Sequence, residues 1–483
     1  MAESNLRDKT VRGVAWSFVE RFSVQAVTFV LELVIARLVG PDNFGLIAML
    51  AIFMSVSQVF IDGGFSSALI QRKECNERDF STVFYVNFGI SLVIYALLFA
   101  AAPYIAEFFR QPILAPVARV YCFNLVLNSL VAVNKTKLTI AVDFKTQSKI
   151  SLFSAIISGL TGVALAWLGY GVWALVVQAL VQAVVTVALS FFYVRWWPRE
   201  RFSGDSFRRL FAFGSKLLVA TLISSLYTKV YDMVIGRKFS SNSLGLYSRA
   251  DKFNMFCSAN ISGILSRVSF PVLSKIQDDD ARLRSVYKQY MQLAALAVFP
   301  LIMGLCGIAK PLIHLLLGDE WMGCVPLLQI LSFAYLWDCV VMVNLNLIYV
   351  KGRSDYVLRL EVIKKSIGFT ILFLSLPFDL IGICIGRVIY AIIAFYLNTY
   401  YTKKLLDYGF LKQLRELLPI LLLALLVAAL SFGFSWLITN DWLSLAVSLT
   451  VCPVVYIVLC RWLHVEAFDK LMDLIRFRRH EKQ

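Results

Sequence analysis

Charged side chains sit where hydropathy is high. Within the apolar stretches stand the cations Arg21, Lys229, Arg249, Lys252, Arg267 and Arg387, and the acids Glu20, Glu32, Asp62, Asp232, Asp251 and Asp338. A charge at mid-bilayer costs about 2.5–3.5 kcal/mol on insertion scales. These cations must therefore face water, a ligand or one another. Helical spacing groups them. Arg21, Gln25, Thr28 and Glu32 share one stripe of a helix, as do Thr221, Ser225, Thr228 and Asp232. Ser55, Gln58, Asp62 and Ser66 make a third stripe, and Arg249, Lys252, Asn260 and Arg267 a fourth. Asp251 points away from Arg249 at about 100° per residue. A basic face without its own acid suits an anionic ligand, phosphate above all, because charge-assisted hydrogen bonds to phosphate oxygens offset desolvation. Glu32, Asp62 and Asp232 are the candidate coupling carboxylates, since a desolvated carboxyl can hold a proton in one state and lose it in another. Plainer readings stand beside these. Glu20–Arg21 and Lys229–Asp232 serve equally well as ion pairs that orient helices. Arg267 can snorkel to an interface, and Arg387 can anchor a helix end.

Other chemistries have no residues to carry them. The chain has no GxxxxGK[ST] phosphate loop. Its histidines, His314, His464 and His480, lie far apart, and its nine cysteines include no CxxC pair. The cysteines read as small core residues. Connections on the non-cytoplasmic side are short, with little room for catalytic groups. The pattern favours a carrier over an enzyme, with no metal and no cofactor; coupling to H+ or Na+ stays open.

The elements that must position these side chains are membrane helices. Of 483 residues, 59% are hydrophobic and 16% charged, and the mean hydropathy is +0.72. So little charge cannot clothe a soluble core of this size. Fourteen apolar stretches of spanning length lie between residues 12 and 463. Met1 to Thr10 is polar, and the first apolar helix carries Glu20, Arg21 and Glu32, so that helix is expected to be a retained span. The net charge of +16 suggests nucleic acid. Lysine and arginine instead concentrate in alternate connections, which explains the excess by the positive-inside rule and places both termini in the cytoplasm. Trp196, Trp197 and Trp462 then fall at cytoplasmic ends, and Trp321, Trp436 and Trp442 at the far side, as interface anchors.

A duplication organises the spans. Val34-Ile35-Ala36-Arg37, a turn through Gly40-Pro41-Asp42-Asn43, and Phe44-Gly45-Leu46 return 200 positions later as Val234-Ile235-Gly236-Arg237, Ser240-Ser241-Asn242-Ser243 and Leu244-Gly245-Leu246. Asn43 is expected to cap the second helix. The offset maps span 1 onto span 7, so the halves share one orientation and are parallel repeats. It also admits 244–270 as a span despite Arg249, Asp251, Lys252 and Arg267. The expected fold is an all-α integral membrane protein of 14 transmembrane helices, in two parallel-repeat six-helix lobes, 1–197 and 198–402. Residues 403–483 add two C-terminal helices and a basic tail. Polar stripes on corresponding spans would converge on a central cavity.

Several segments resemble a known family. Ala36-Arg37-Leu38-Val39-Gly40-Pro41 with Phe44-Gly45 is similar to the first hairpin of the polysaccharide transporters, within the multidrug/oligosaccharidyl-lipid/polysaccharide exporter superfamily, the MATE-like exporters. Gly245-Leu246-Tyr247-Ser248-Arg249-Ala250 and Ser266-Arg267-Val268-Ser269-Phe270-Pro271 resemble that family's span 8. Leu317-Gly318-Asp319-Glu320-Trp321 with Val325-Pro326-Leu327-Leu328 resembles the approach to its span 10. The similarity covers about residues 5–460 and is strongest to exporters of the lipopolysaccharide, colanic-acid and teichuronic-acid type. It implies a flippase of the bacterial inner membrane that moves a polyprenyl-pyrophosphate-linked oligosaccharide unit by alternating access. On that expectation Arg21, Lys229, Arg249, Lys252 and Arg267 hold the pyrophosphate, while Gln25, Thr28, Gln58, Ser225 and Asn260 face sugar. The implied partners are membrane lipids and the lipid-linked oligosaccharide, with a polysaccharide polymerase and glycosyltransferases as candidates and no nucleic acid. A cation-coupled multidrug exporter and a membrane glycan-assembly enzyme or scaffold are the competing expectations. The excess of intramembrane Lys and Arg argues against the first of these.

Overall fold

The computed structural model describes residues 2–72, 75–470 and 472, and the side chains of all of these except 2–24, 259, 260 and 264–268. Every element among the described residues is helical. Eleven helical stretches are long and apolar enough to cross a membrane. Large apolar side chains such as Leu97, Leu160 and Leu422 point outward along them, as a hydrocarbon solvent permits. The chain divides into two compact units, Met1–Gly245 and Leu246–Gln483.

In the first unit, α1 (Ala2–Asp62) holds the first copy of the repeat as one helical run with a kink at Gly40, where φ is 77° and ψ is 168°. The cause is local. Pro41 pushes its predecessor to extended ψ and lacks an N–H, so it suits the first turn of a helix; the positive φ beside it needs glycine. The expected turn is therefore a hinge inside a helix. Asn43 does not act as the expected N-cap: its Nδ2 donates to the Val39 carbonyl at 2.7 Å, stitching across the kink. Gly63 and Gly64, both at positive φ, end α1 and start the short α2 (Phe65–Gln71).

The helices α3 (Glu77–Phe109), α4 (Leu114–Tyr121), α5 (Phe123–Ile140), α6 (Phe144–Trp167) and α7 (Val172–Val194) complete an antiparallel bundle with α1. Small residues set the closest approach. Ser154, Ser158, Gly159 and Gly162 line the buried face of α6, and a Cβ on Gly159 or Gly162 would strike Leu31 or Ile35 of α1. Such faces bring membrane helices together where lipid gives no hydrophobic drive. Helix starts are fixed by side chains. Asp143 accepts from the Thr146 backbone N–H at 3.0 Å and from its hydroxyl at 2.7 Å, which holds the Asp143 carboxyl below its ordinary range.

The second copy of the repeat spans α8 (Gly204–Lys238) and α9 (Ser241–Lys275). The duplicated glycines pack reciprocally. A Cβ on Gly45 would collide with the backbone of Ser241, and one on Gly245 with the carbonyl of Pro41. The two hairpin corners thus cross main chain to main chain. Asp42 reinforces the crossing by accepting from the Ser241 hydroxyl at 2.9 Å and from Asn242 Nδ2 at 3.2 Å.

The second unit contains α10 (Asp280–Gly307), α11 (Ala309–Leu317), α12 (Cys324–Tyr335), α13 (Asp338–Val350), α14 (Ser354–Ser375), α15 (Leu380–Leu406), α16 (Phe410–Leu437) and α17 (Asp441–Trp462). A buried polar layer gathers where α15 turns into α16. Gln413 Nε2 donates to the Thr402 hydroxyl at 3.0 Å and to the Tyr408 carbonyl at 3.1 Å, and Asn344 Nδ2 donates to Gln413 Oε1 at 3.2 Å. Hydrogen bonds of this kind are worth about 1 kcal/mol each net, but a severed one strands a buried partner. α12 and α13 are two halves of one candidate span, broken at Leu336 and Trp337.

The tryptophans divide. Trp197, Trp436, Trp442 and Trp462 are exposed, in keeping with an interface position. Trp196 and Trp321 are buried and are not anchors. Trp196 donates its indole N–H to Glu77 at 2.6 Å beneath Lys137, and Trp321 is enclosed completely.

Candidate functional site

The two units carry different charge arrangements. In the first, Lys229 Nζ pairs with Asp232 one turn away at 2.9 Å on α8. Both are partly exposed, so this cation arrives with its own counter-ion and the ion-pair reading holds for it. Asp62, at the end of α1, accepts from the Ser66 hydroxyl at 2.5 Å. Thr28, Glu32, Gln58 and Ser225 are partly exposed and Gln25 is exposed, all on α1 or α8. The side chains of Arg21, Asn260 and Arg267 lie outside the described residues.

In the second unit the basic stripe of α9 separates. Arg249 is 4% exposed and its guanidinium stands 5.6 Å from the centre of the Trp321 ring, a cation–π geometry. Lys252, three residues on, is exposed. Shared helical phase therefore does not place the two in one environment.

A denser constellation gathers at the α12–α13 break. Arg387 of α15 pairs with Asp251 of α9 and donates to the Tyr247 hydroxyl at 2.8 Å. Tyr335, the last residue of α12, donates its hydroxyl to Asp251 at 2.8 Å and lies under the Arg387 guanidinium, 5.2 Å from ring centre to carbon. Asp338 opens α13 at the same level and lies in the electrostatic field of Arg387, Asp251 and Lys364. Lys364 of α14 is 8% exposed and paired with Glu361 at 2.5 Å. Arg387 is thus not a helix-end anchor. It joins three helices, two turns into α15. Sequence reading missed Tyr247, Tyr335 and Lys364 as parts of a site. The available signal was a set of ionisable residues in separate apolar helices that must be partnered somewhere.

This fold has a counterpart. The lipid II flippase MurJ in an inward closed conformation superposes with a TM-score of 0.76 at 15% identity, over 95% of this chain and all of that one. The two chains therefore share a fold. Residues 34–326 match the family described as polysaccharide biosynthesis protein, and the chain belongs to it. Among relatives, the teichuronic acid biosynthesis protein TuaB of Bacillus subtilis (strain 168) is 27% identical over 301 residues, 62% of each chain. The chain thus spans less than two thirds of that relative's length. The succinoglycan biosynthesis transport protein ExoT of Rhizobium meliloti (strain 1021) is 24% identical over 485 residues, 98% of this chain and 97% of that one.

Proposed function

We propose that the protein is a secondary carrier that flips a lipid-linked oligosaccharide, carried on a polyprenyl pyrophosphate, across the bacterial inner membrane. The observation that carries this is the presence of cations on apolar helices of a chain in the polysaccharide biosynthesis family: Lys229 and Arg387 on candidate spans, Arg249 and Lys252 on α9. A doubly negative headgroup crossing hydrocarbon needs positive charge along its way. Relatives named for teichuronic acid biosynthesis and succinoglycan transport support a glycan as cargo.

In this proposal fourteen spans form two parallel six-helix lobes, 1–197 and 198–402, with two further helices in 403–483 and both termini in the cytoplasm. The lobes open alternately to the two sides. Arg21, Lys229, Arg249, Lys252 and Arg267 hold the pyrophosphate; Gln25, Thr28, Gln58, Ser225 and Asn260 face sugar; and Glu32, Asp62 and Asp232 are coupling carboxylates. A polysaccharide polymerase and glycosyltransferases are the expected neighbours in the pathway. A multidrug exporter of the same superfamily is disfavoured, because a basic site repels cationic drugs.

The test is export in a strain lacking its own flippase, with a fluorescent lipid-linked oligosaccharide in proteoliposomes as the direct assay. Lys252→Gln with Arg249→Gln should abolish flipping while the protein still inserts. Flipping at the wild-type rate would remove these residues from the site, and export of a cationic dye without glycan movement would favour the drug exporter.

A further inference from the structure

The constellation at the α12–α13 break does more than join helices. It lies in the middle of the Cys324–Val350 span, where a continuous helix would leave no polar backbone. Helix breaks at membrane depth are tolerated where they line water or bind an ion. Asp251 pairs with Arg387, and Asp338, one helical turn beyond Tyr335, lies in the field of both, while Lys364, which also acts on Asp338, is matched to Glu361. The carboxylates differ. Asp251 is 28% exposed and is held by Arg387 and the Tyr335 hydroxyl. Asp338 is exposed, and among the described residues no hydrogen bond or close ion pair reaches its side chain.

We propose that Asp338 is the site at which the second unit binds and releases a proton during transport. The proposal rests on the carrier reading above and deepens it by naming the coupling ion and adding, to the coupling carboxylates of the first unit, a residue of the second. When Asp338 takes up a proton, Asp251 and Arg387 form a one-to-one pair and the cluster loses a net negative charge. When the proton leaves to water, Arg387 stands in the field of two anions, one on α9 and one on α13, and the preferred packing across the break changes. A proton suits this place better than Na+, because the guanidinium already occupies the centre that a metal cation would take between Asp251, Tyr247 and Tyr335. The groups facing Asp338 and its partner are Tyr247 and Asp251 on α9, Tyr335 on α12, Cys339 on α13, Glu361 and Lys364 on α14, and Cys384 and Arg387 on α15. None supplies a second exposed carboxylate at the break.

The experiment uses the full chain in proteoliposomes loaded with a polyprenyl-pyrophosphate oligosaccharide. An imposed pH gradient at equal Na+, and a Na+ gradient at equal pH, are applied separately. The wild type should change its flipping rate about tenfold with the pH gradient, within the usual range of coupling energies, and ignore Na+. Asp338→Asn should still flip but lose the pH response, and Asp338→Glu should regain it. A pH response kept by Asp338→Asn, or driving by Na+, overturns the proposal. Hydrogen exchange over α12 and α13, measured in lipid nanodiscs at mildly acidic and mildly alkaline pH and corrected for intrinsic rates, provides a readout without transport. Wild-type exchange at the break should depend on pH and Asp338→Asn exchange should not; the same profile in both overturns it. If no protein flips the oligosaccharide, the carrier reading fails and the exchange result alone decides the proton site.

Discussion

Lys229–Asp232 in the first unit and Arg387–Asp251 in the second are both intramembrane ion pairs, but they are built differently. The first joins residues one helical turn apart, and both remain partly open. The second joins residues 136 positions apart, with two tyrosine hydroxyls closing around it. A local pair forms as soon as its helix does and orders little else. A distant pair holds only if several helices are in place, so its loss should spread.

That contrast sets the scale of expected effects. Arg387→Ala should have the largest, about 3–5 kcal/mol of destabilisation, because it strands the Asp251 carboxylate and the Tyr247 hydroxyl. Thermal unfolding in detergent would measure it, and Asp251→Asn in the same chain should recover a large part. A loss no greater than that of Lys229→Gln would erase the distinction between the pairs. Gly45→Ala, at another long-range contact, should cost about 1–3 kcal/mol by forcing the Ser241 backbone away, and Gly245→Ala a similar amount. Combining the two should cost less than their sum, since one displacement of the corners makes room for both. Asp143→Ala removes a local cap and should cost about 1 kcal/mol. The folded carboxyl titrates below its unfolded value. Its contribution is therefore present above the unfolded range near pH 3.9 and is lost as pH falls through the folded value. Unfolding measured against pH should show that loss in the wild type and not in Asp143→Ala. Lys229→Gln should be smallest, about 0–1 kcal/mol in stability, with any effect on flipping assayed separately.

What could be read from sequence follows the same division. The membrane class, the helical fold and the repeat came from composition, apolar length and an ungapped offset, all carried along the chain itself. The Lys229–Asp232 pair was legible because helical phase fixes neighbours three residues apart. Phase did not reveal that Arg249 turns onto buried Trp321 while Lys252 stays exposed, because the packing partner comes from a helix some seventy residues later. Nor did it find Arg387 with Asp251, since Asp251 was judged only against its own helix. The role of Asn43 was missed for a related reason: a Gly-Pro pair signals a break, yet a helix can run on through a kink with a side-chain amide spanning it.

The reciprocal seating of Gly45 and Gly245 has a historical consequence. Each position is occupied by the main chain of the other copy, so after the duplication neither could gain a side chain without evicting its twin. The two corners became one mechanical part inherited in two pieces. Insertions or deletions between them are tolerable only where they leave both corners free to arrive at the same crossing.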